Sequence, residues 1–217
     1  MESRIRLMPW PAAHILIAED FLNSMPSQLD RKKFFVGTSF PDIRYPARLE
    51  RGQTHFSQPT IQEILSDDSF RAGLLFHSLV DNLWNNEFHH QAYLINQLPH
   101  NPAMMHTLKI LQDVFVYDRL EKWNEISGYF KELIPEEDQY DAPKSMVERW
   151  HQVISHYLGK PPQFEDINML EMSLPIGMVI QIRSYYQTYR HDPTLRVVLI
   201  HLYDTVRAQI KSLSNSA

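Results

Sequence analysis

The sequence predicts an all-α protein, a single multi-helix domain of roughly eight to ten helices. Three observations carry this. Apolar residues recur at helical spacing through most of the chain. No segment shows the period-two alternation or the tight turn of a hairpin. Prolines and glycines fall between the helical segments. The 217 residues suffice for one large domain, with a soft boundary near residues 135–142.

Residues 1–8 read as a loose lead. Pro11 suits the first turn of a helix that Pro26 stops, and on it His14, Ile17 and Phe21 share an inward face. A short helix is expected from Ser27 to Phe35, with Ser27 as its cap. Residues 36–60 contain Gly37, Pro41, Pro46, Gly52 and Pro59 and read as a long ordered loop, of the kind that carries function. That loop holds Asp42 and His55. A short helix around Ile61–Leu65 precedes the central helix, Phe70–His90, which continues toward Pro99. A longer helix runs from Pro102 to Trp123. GYFKELI makes a turn or two, and PEEDQYDAP, with Glu136–Asp138, is a solvated acidic loop. Ser145–Leu158 ends at Gly159 before Pro161 and Pro162. FEDINMLEM, a break at Pro175, and helices Ile176–Arg190 and Pro193–Leu213 complete the chain.

Composition is ordinary for a globular protein, 43% hydrophobic and 22% charged. A net charge of -5 and a pI near 6.1 argue against broad nucleic-acid binding, though a single-stranded substrate stays open. There is no cysteine, so thiolate chemistry, disulfides and Cys-ligated metals are excluded. The N-terminal stretch makes a poor signal peptide and no run is long and apolar enough to span a membrane, so a cytoplasmic location is the default.

The central helix carries the functional signal. Leu74, His77, Asp81, Trp84 and Phe88 form one stripe, apolar at both ends, with a histidine and a carboxylate one turn apart in its middle. A buried carboxylate needs a partner, and a metal ion is one that also employs the histidine. Of eleven histidines, seven precede residue 107, and His14, Asp42, His55, His77 and Asp81 stand in apolar or loop settings where a solvated role is awkward. All-N/O ligation suits zinc, and also iron or manganese. The same residues could instead hydrogen-bond within a helical core. Elsewhere His151 and His156 are poorly aligned, His201 and Asp204 pair with each other, Asp192 caps the last helix, and Tyr185, Tyr186 and Tyr189 form a packing stripe.

The order of PAAHILIA, FFVGTSFPDIRY, THF and GLLFHSLVDNLW, over residues 8 to about 90, resembles the zinc-dependent phospholipase C and single-strand nuclease superfamily. The resemblance implies a phospholipase C/nuclease-like all-α fold and one to three zinc ions. It places Asp42, His55, His77 and Asp81 around one metal, and His14 at a neighbouring metal with Asp81 able to bridge. It implies hydrolysis of a small phosphoester or phospholipid, with Asp42 as a ligand or a general base. The chain departs from the family at three places. Trp10 follows nine residues, so without processing its nitrogen is an amide rather than a ligating amine. Glu87 stands where the family has a histidine six residues after the helix aspartate, with His89 and His90 just beyond as candidate ligands. A later His-x-x-x-Glu pair is missing, with Asp113 and Asp118 as candidate substitutes. The departures favour an alternative, a non-catalytic partner-binding protein with a structural or vestigial metal.

Overall fold

The computed structural model describes residues 10–25, 29–166 and 174–216. All regular structure among them is helical, and no helix there is long and apolar enough to cross a membrane. The twelve described α-helices are α1 (Pro11–Ser24), α2 (Arg31–Ser39), α3 (Arg44–Ala47), α4 (Arg51–Thr54), α5 (Ile61–Ser66), α6 (Ser69–His90), α7 (Ala92–Asn96), α8 (Pro102–Val116), α9 (Trp123–Gly128), α10 (Lys144–Leu158), α11 (Ile176–Tyr189) and α12 (Pro193–Asn215).

Helix α6 is the axis. Asp68 caps it by accepting from the Phe70 and Arg71 amides at 3.0 and 3.1 Å. Its stripe from Leu74 to Phe88 is buried, while His89 and His90 at its end are exposed. It packs on α2, α5 and α12, and most closely on α2. A Cβ on Gly37 would stand 2.0 Å from the Phe70 carbonyl oxygen, and one on Gly73 would stand 2.3 Å from that of Phe34. Two backbones therefore touch where most helix pairs are separated by side chains. Phe21, Phe34 and Phe76 fill the adjoining space, with ring centroids 4.9 Å (Phe21–Phe76) and 5.3 Å (Phe34–Phe76) apart. One hydrophobic cluster runs from Trp10 to Ile210.

Several boundaries differ from the sequence reading. Ser27 lies outside the described residues, and the cap of α2 is Asp30, which accepts from the Lys33 amide at 2.9 Å. The helix passes through Gly37 to Ser39, since contact with α6 offsets the conformational cost of a helical glycine. The expected loop over 36–60 is mostly short helical turns: a 3-10 turn at Phe40–Ile43, then α3 and α4. Pro41 sits in the first turn of that 3-10 segment, where a missing N–H costs nothing. Arg48, at φ 58°, closes α3 in the left-handed conformation.

The central helix does not run on toward Pro99, because extended backbone at Gln91 separates it from α7. Helix α8 stops at Val116, short of Trp123, where the chain doubles back and Trp123 stacks on Tyr117 with centroids 4.6 Å apart. The Trp123 indole N–H donates to the Tyr117 carbonyl at 2.8 Å. The acidic segment is also not a solvated loop. It forms a 3-10 turn, Pro135–Gln139, in which Glu137 is buried and accepts from the Ile134 amide at 2.8 Å, with His151 Nε2 at 2.6 Å. Periodicity is blind to such a pair because its members come from different elements. Most of FEDINMLEM lies outside the described residues. Asp192 caps α12 as expected, accepting from the Thr194 and Leu195 amides.

Candidate metal centre

Four elements deliver side chains to one buried point. Helix α1 brings His14, α6 brings His77 and Asp81, the end of α4 brings His55, and the 3-10 turn after α2 brings Asp42. The position of α1 is set by Asp113 of α8, whose two carboxylate oxygens accept from the Ala12 and Ala13 amides at 3.0 and 2.9 Å. A carboxylate at a helix N-terminus satisfies orphan donors and the helix dipole together. Tyr157 donates its hydroxyl to the same carboxylate at 2.8 Å.

Asp81 is the hub. Its Oδ1 lies 3.3 Å from His14 Nε2, and its Oδ2 lies 3.5 Å from His55 Nε2 and 3.6 Å from His77 Nε2. All four side chains are at most 3% exposed. None of these approaches has hydrogen-bond geometry: both Asp81 oxygens, Nε2 of His14, His55 and His77, and Nδ1 of His14 lack hydrogen-bond partners. Each such buried orphan costs about 1–3 kcal/mol, so their convergence calls for a shared partner. Donors around a tetrahedral zinc lie about 3.3 Å from one another, given bonds near 2.0 Å. The Asp81–histidine distances match that spacing.

The outer ring nitrogens are anchored. His77 Nδ1 faces the Thr38 carbonyl oxygen at 2.9 Å and can only donate to it, leaving the Nε2 lone pair aimed at Asp81. Thr54 donates its hydroxyl to the Pro41 carbonyl at 3.3 Å and lies 3.0 Å from His55 Nδ1, which can donate to it in turn. The His14 ring stacks on His77, centroids 4.1 Å apart and 2° from parallel.

The electrostatics follow from burial. Burial holds His55 down to about 2, helped by His77, Arg51 and Arg44 and opposed by Asp81. Burial and then His77 lower His14. For His77, burial also disfavours the cation, yet the charge and proximity of Asp81 outweigh it and the net direction is upward. Asp81 is disfavoured as an anion by burial but is held well below the carboxylate range by His77 and His14. Asp81 is thus ionised and His14 and His55 are neutral, as metal ligation requires, whereas Asp81 favours a proton on His77 that a bound cation would displace.

Two overlapping triads have donor atoms within 4.8 Å of one another and could hold a metal ion: His14, His77 and Asp81, fully buried, and Asp42, His55 and His77, with Asp42 half-buried. The other predicted positions are not brought to the cluster. Glu87 accepts from Gln209 Nε2 at 2.6 Å, and His89 and His90 are exposed, all at the far end of α6. Asp113 is committed to α1, and Asp118 is exposed. Trp10 precedes the first residue of α1, its carbonyl accepting from the His14 amide at 3.2 Å. His201 and Asp204 do not pair as expected, since Asp204 takes Arg119 instead. Sequence reading missed Arg51, whose Nη2 lies 3.5 Å from Asp81 Oδ2. Its signal was a position one helical turn before His55.

No family model, curated protein or solved structure matches the chain, so the chemistry of the centre rests on its own geometry.

Proposed function

We propose that the chain is a metal-dependent phosphoester hydrolase of phospholipase C-like type, with zinc at the His14, Asp42, His55, His77 and Asp81 centre. The observation that carries the reading is the set of unpartnered buried donor atoms converging on Asp81. An ion held there supplies Lewis acidity, polarising a phosphoryl oxygen and making a water acidic near neutral pH. The chain's own residues do the rest. His77 and His55, oriented by Thr38 and Thr54, fix the donor geometry. Asp81, with Oδ1 near His14 and Oδ2 near His55 and His77, would present both carboxylate oxygens as ligands. Asp42, half-buried, would accept a proton from the attacking water as its oxygen bonds to phosphorus, and as the ester P–O bond breaks the departing alcohol oxygen would take a proton from solvent.

A second reading keeps one structural ion on a partner-binding protein. The remoteness of Glu87, His89 and His90 from the cluster favours it. Hydrolysis of chromogenic phosphomonoesters and phosphodiesters by metal-free protein, with and without added zinc or manganese, separates the two. Metal-dependent turnover supports the enzyme, and tight metal binding without turnover of either ester supports the structural role.

A further inference from the structure

We infer that Arg51, with Arg44 of the same segment, forms the anion-gripping wall of this centre and holds the non-bridging oxygens of a phosphoryl group. The inference rests on the metal-centre reading and adds the residues that recognise the substrate's charge. His14, His55, His77 and Asp81 are buried, whereas Asp42, Arg44 and Arg51 are half-buried, so among the described residues the 42–51 segment carries charged groups that reach from the cluster's surroundings to solvent. Arg51 spans that gradient, with a side chain 35% exposed and Nη2 3.5 Å from the buried Asp81 Oδ2. At that distance the half-exposed guanidinium is ion-paired with the buried hub.

Arg44 is held by its neighbour: its guanidinium lies 4.0 Å from the Tyr45 ring centroid and its Nη2 donates to the Tyr45 hydroxyl at 2.6 Å. Its Nε is enclosed without a hydrogen-bond partner. Both guanidiniums act electrostatically on His55. Arg44 and Arg51 carry two positive charges and Asp42 and Asp81 two negative ones, so a divalent cation makes this group of five net positive. An incoming phosphoryl anion offsets that charge, and a guanidinium fork matches two of its oxygens.

The test measures metal content and inorganic phosphate affinity on the same zinc-loaded samples of wild type, Arg51→Met and Arg51→Lys. Expected are unchanged metal content in both variants, phosphate binding about 10- to 100-fold weaker in Arg51→Met, and an intermediate loss in Arg51→Lys. Should Arg51→Met fail to fold, Arg51→Lys decides by the same criterion. Metal-loaded wild type that does not bind phosphate, variants that bind it as wild type does, or variants that lose metal in parallel all overturn the inference while leaving the metal centre standing. Wild type that takes up no metal overturns the metal centre and this inference with it.

Discussion

The Thr38 carbonyl oxygen lies 2.9 Å from His77 Nδ1, so the backbone of α2 dictates which nitrogen of a histidine on α6 faces the cluster. His77 must carry its proton on Nδ1 and ligate through Nε2. Long-range ¹H–¹⁵N correlation spectra of the zinc-loaded protein should show the Nδ1–H tautomer for His77. An Nε2–H tautomer contradicts the ligand assignment.

That hydrogen bond depends on two glycines. A Cβ at residue 73 would meet the Phe34 oxygen at 2.3 Å and the Thr38 nitrogen at 2.6 Å, so Gly73→Ala must push α2 off α6. The expected cost is about 3 kcal/mol of stability, by thermal or denaturant unfolding, with weaker metal retention because Thr38 moves away from His77. A Cβ at Gly128 or Gly177 would meet nothing within 4 Å, and Gly128→Ala serves as the neutral control.

Asp113 supplies a pH signature. Burial raises its carboxyl from the ordinary 3.8 to about 7, against the opposing pull of Tyr157 and the Ala13 and Ala12 amides. Between those two values the folded protein holds a proton that the unfolded chain has released. This group therefore makes stability fall as pH rises from about 4 to about 7, by on the order of a few kcal/mol, and adds no further slope above that. Denaturant unfolding in the presence of a chelator should show a shallower pH dependence over this window for Asp113→Asn than for wild type. Identical slopes would refute the assignment.

The all-helical class and the central helix were legible because both are local: periodicity specifies α6 with no knowledge of its neighbours. His77 and Asp81 could be singled out because they interrupt an apolar stripe. The turns over 40–54 were not legible as structure, since four-residue helices are too short to show a period. Arg51 and the Glu137–His151 pair were hidden for another reason. A charged residue in a polar segment looks solvated until a partner distant in sequence is placed against it, as His151 is against Glu137. The role of Asp113 was invisible in the same way, its partners Ala12 and Ala13 being about a hundred residues away.

Asp42 separates chemistry from binding. It belongs to the half-buried triad with His55 and His77, while His14, His77 and Asp81 form a buried triad without it. Asp42→Asn should retain an ion at the buried triad yet lower phosphoester turnover about 100-fold or more. Full turnover in this variant excludes Asp42 as the proton acceptor.

The central claim is that the atoms around Asp81 are metal ligands. Elemental analysis of protein purified without added metal, wild type beside Asp81→Asn, tests it most directly. The account predicts about one or more zinc-class ions per wild-type chain and under roughly a tenth of that in Asp81→Asn, with circular dichroism showing both helical. Folded wild-type protein that contains no transition metal, and takes up none from added zinc or manganese, contradicts it.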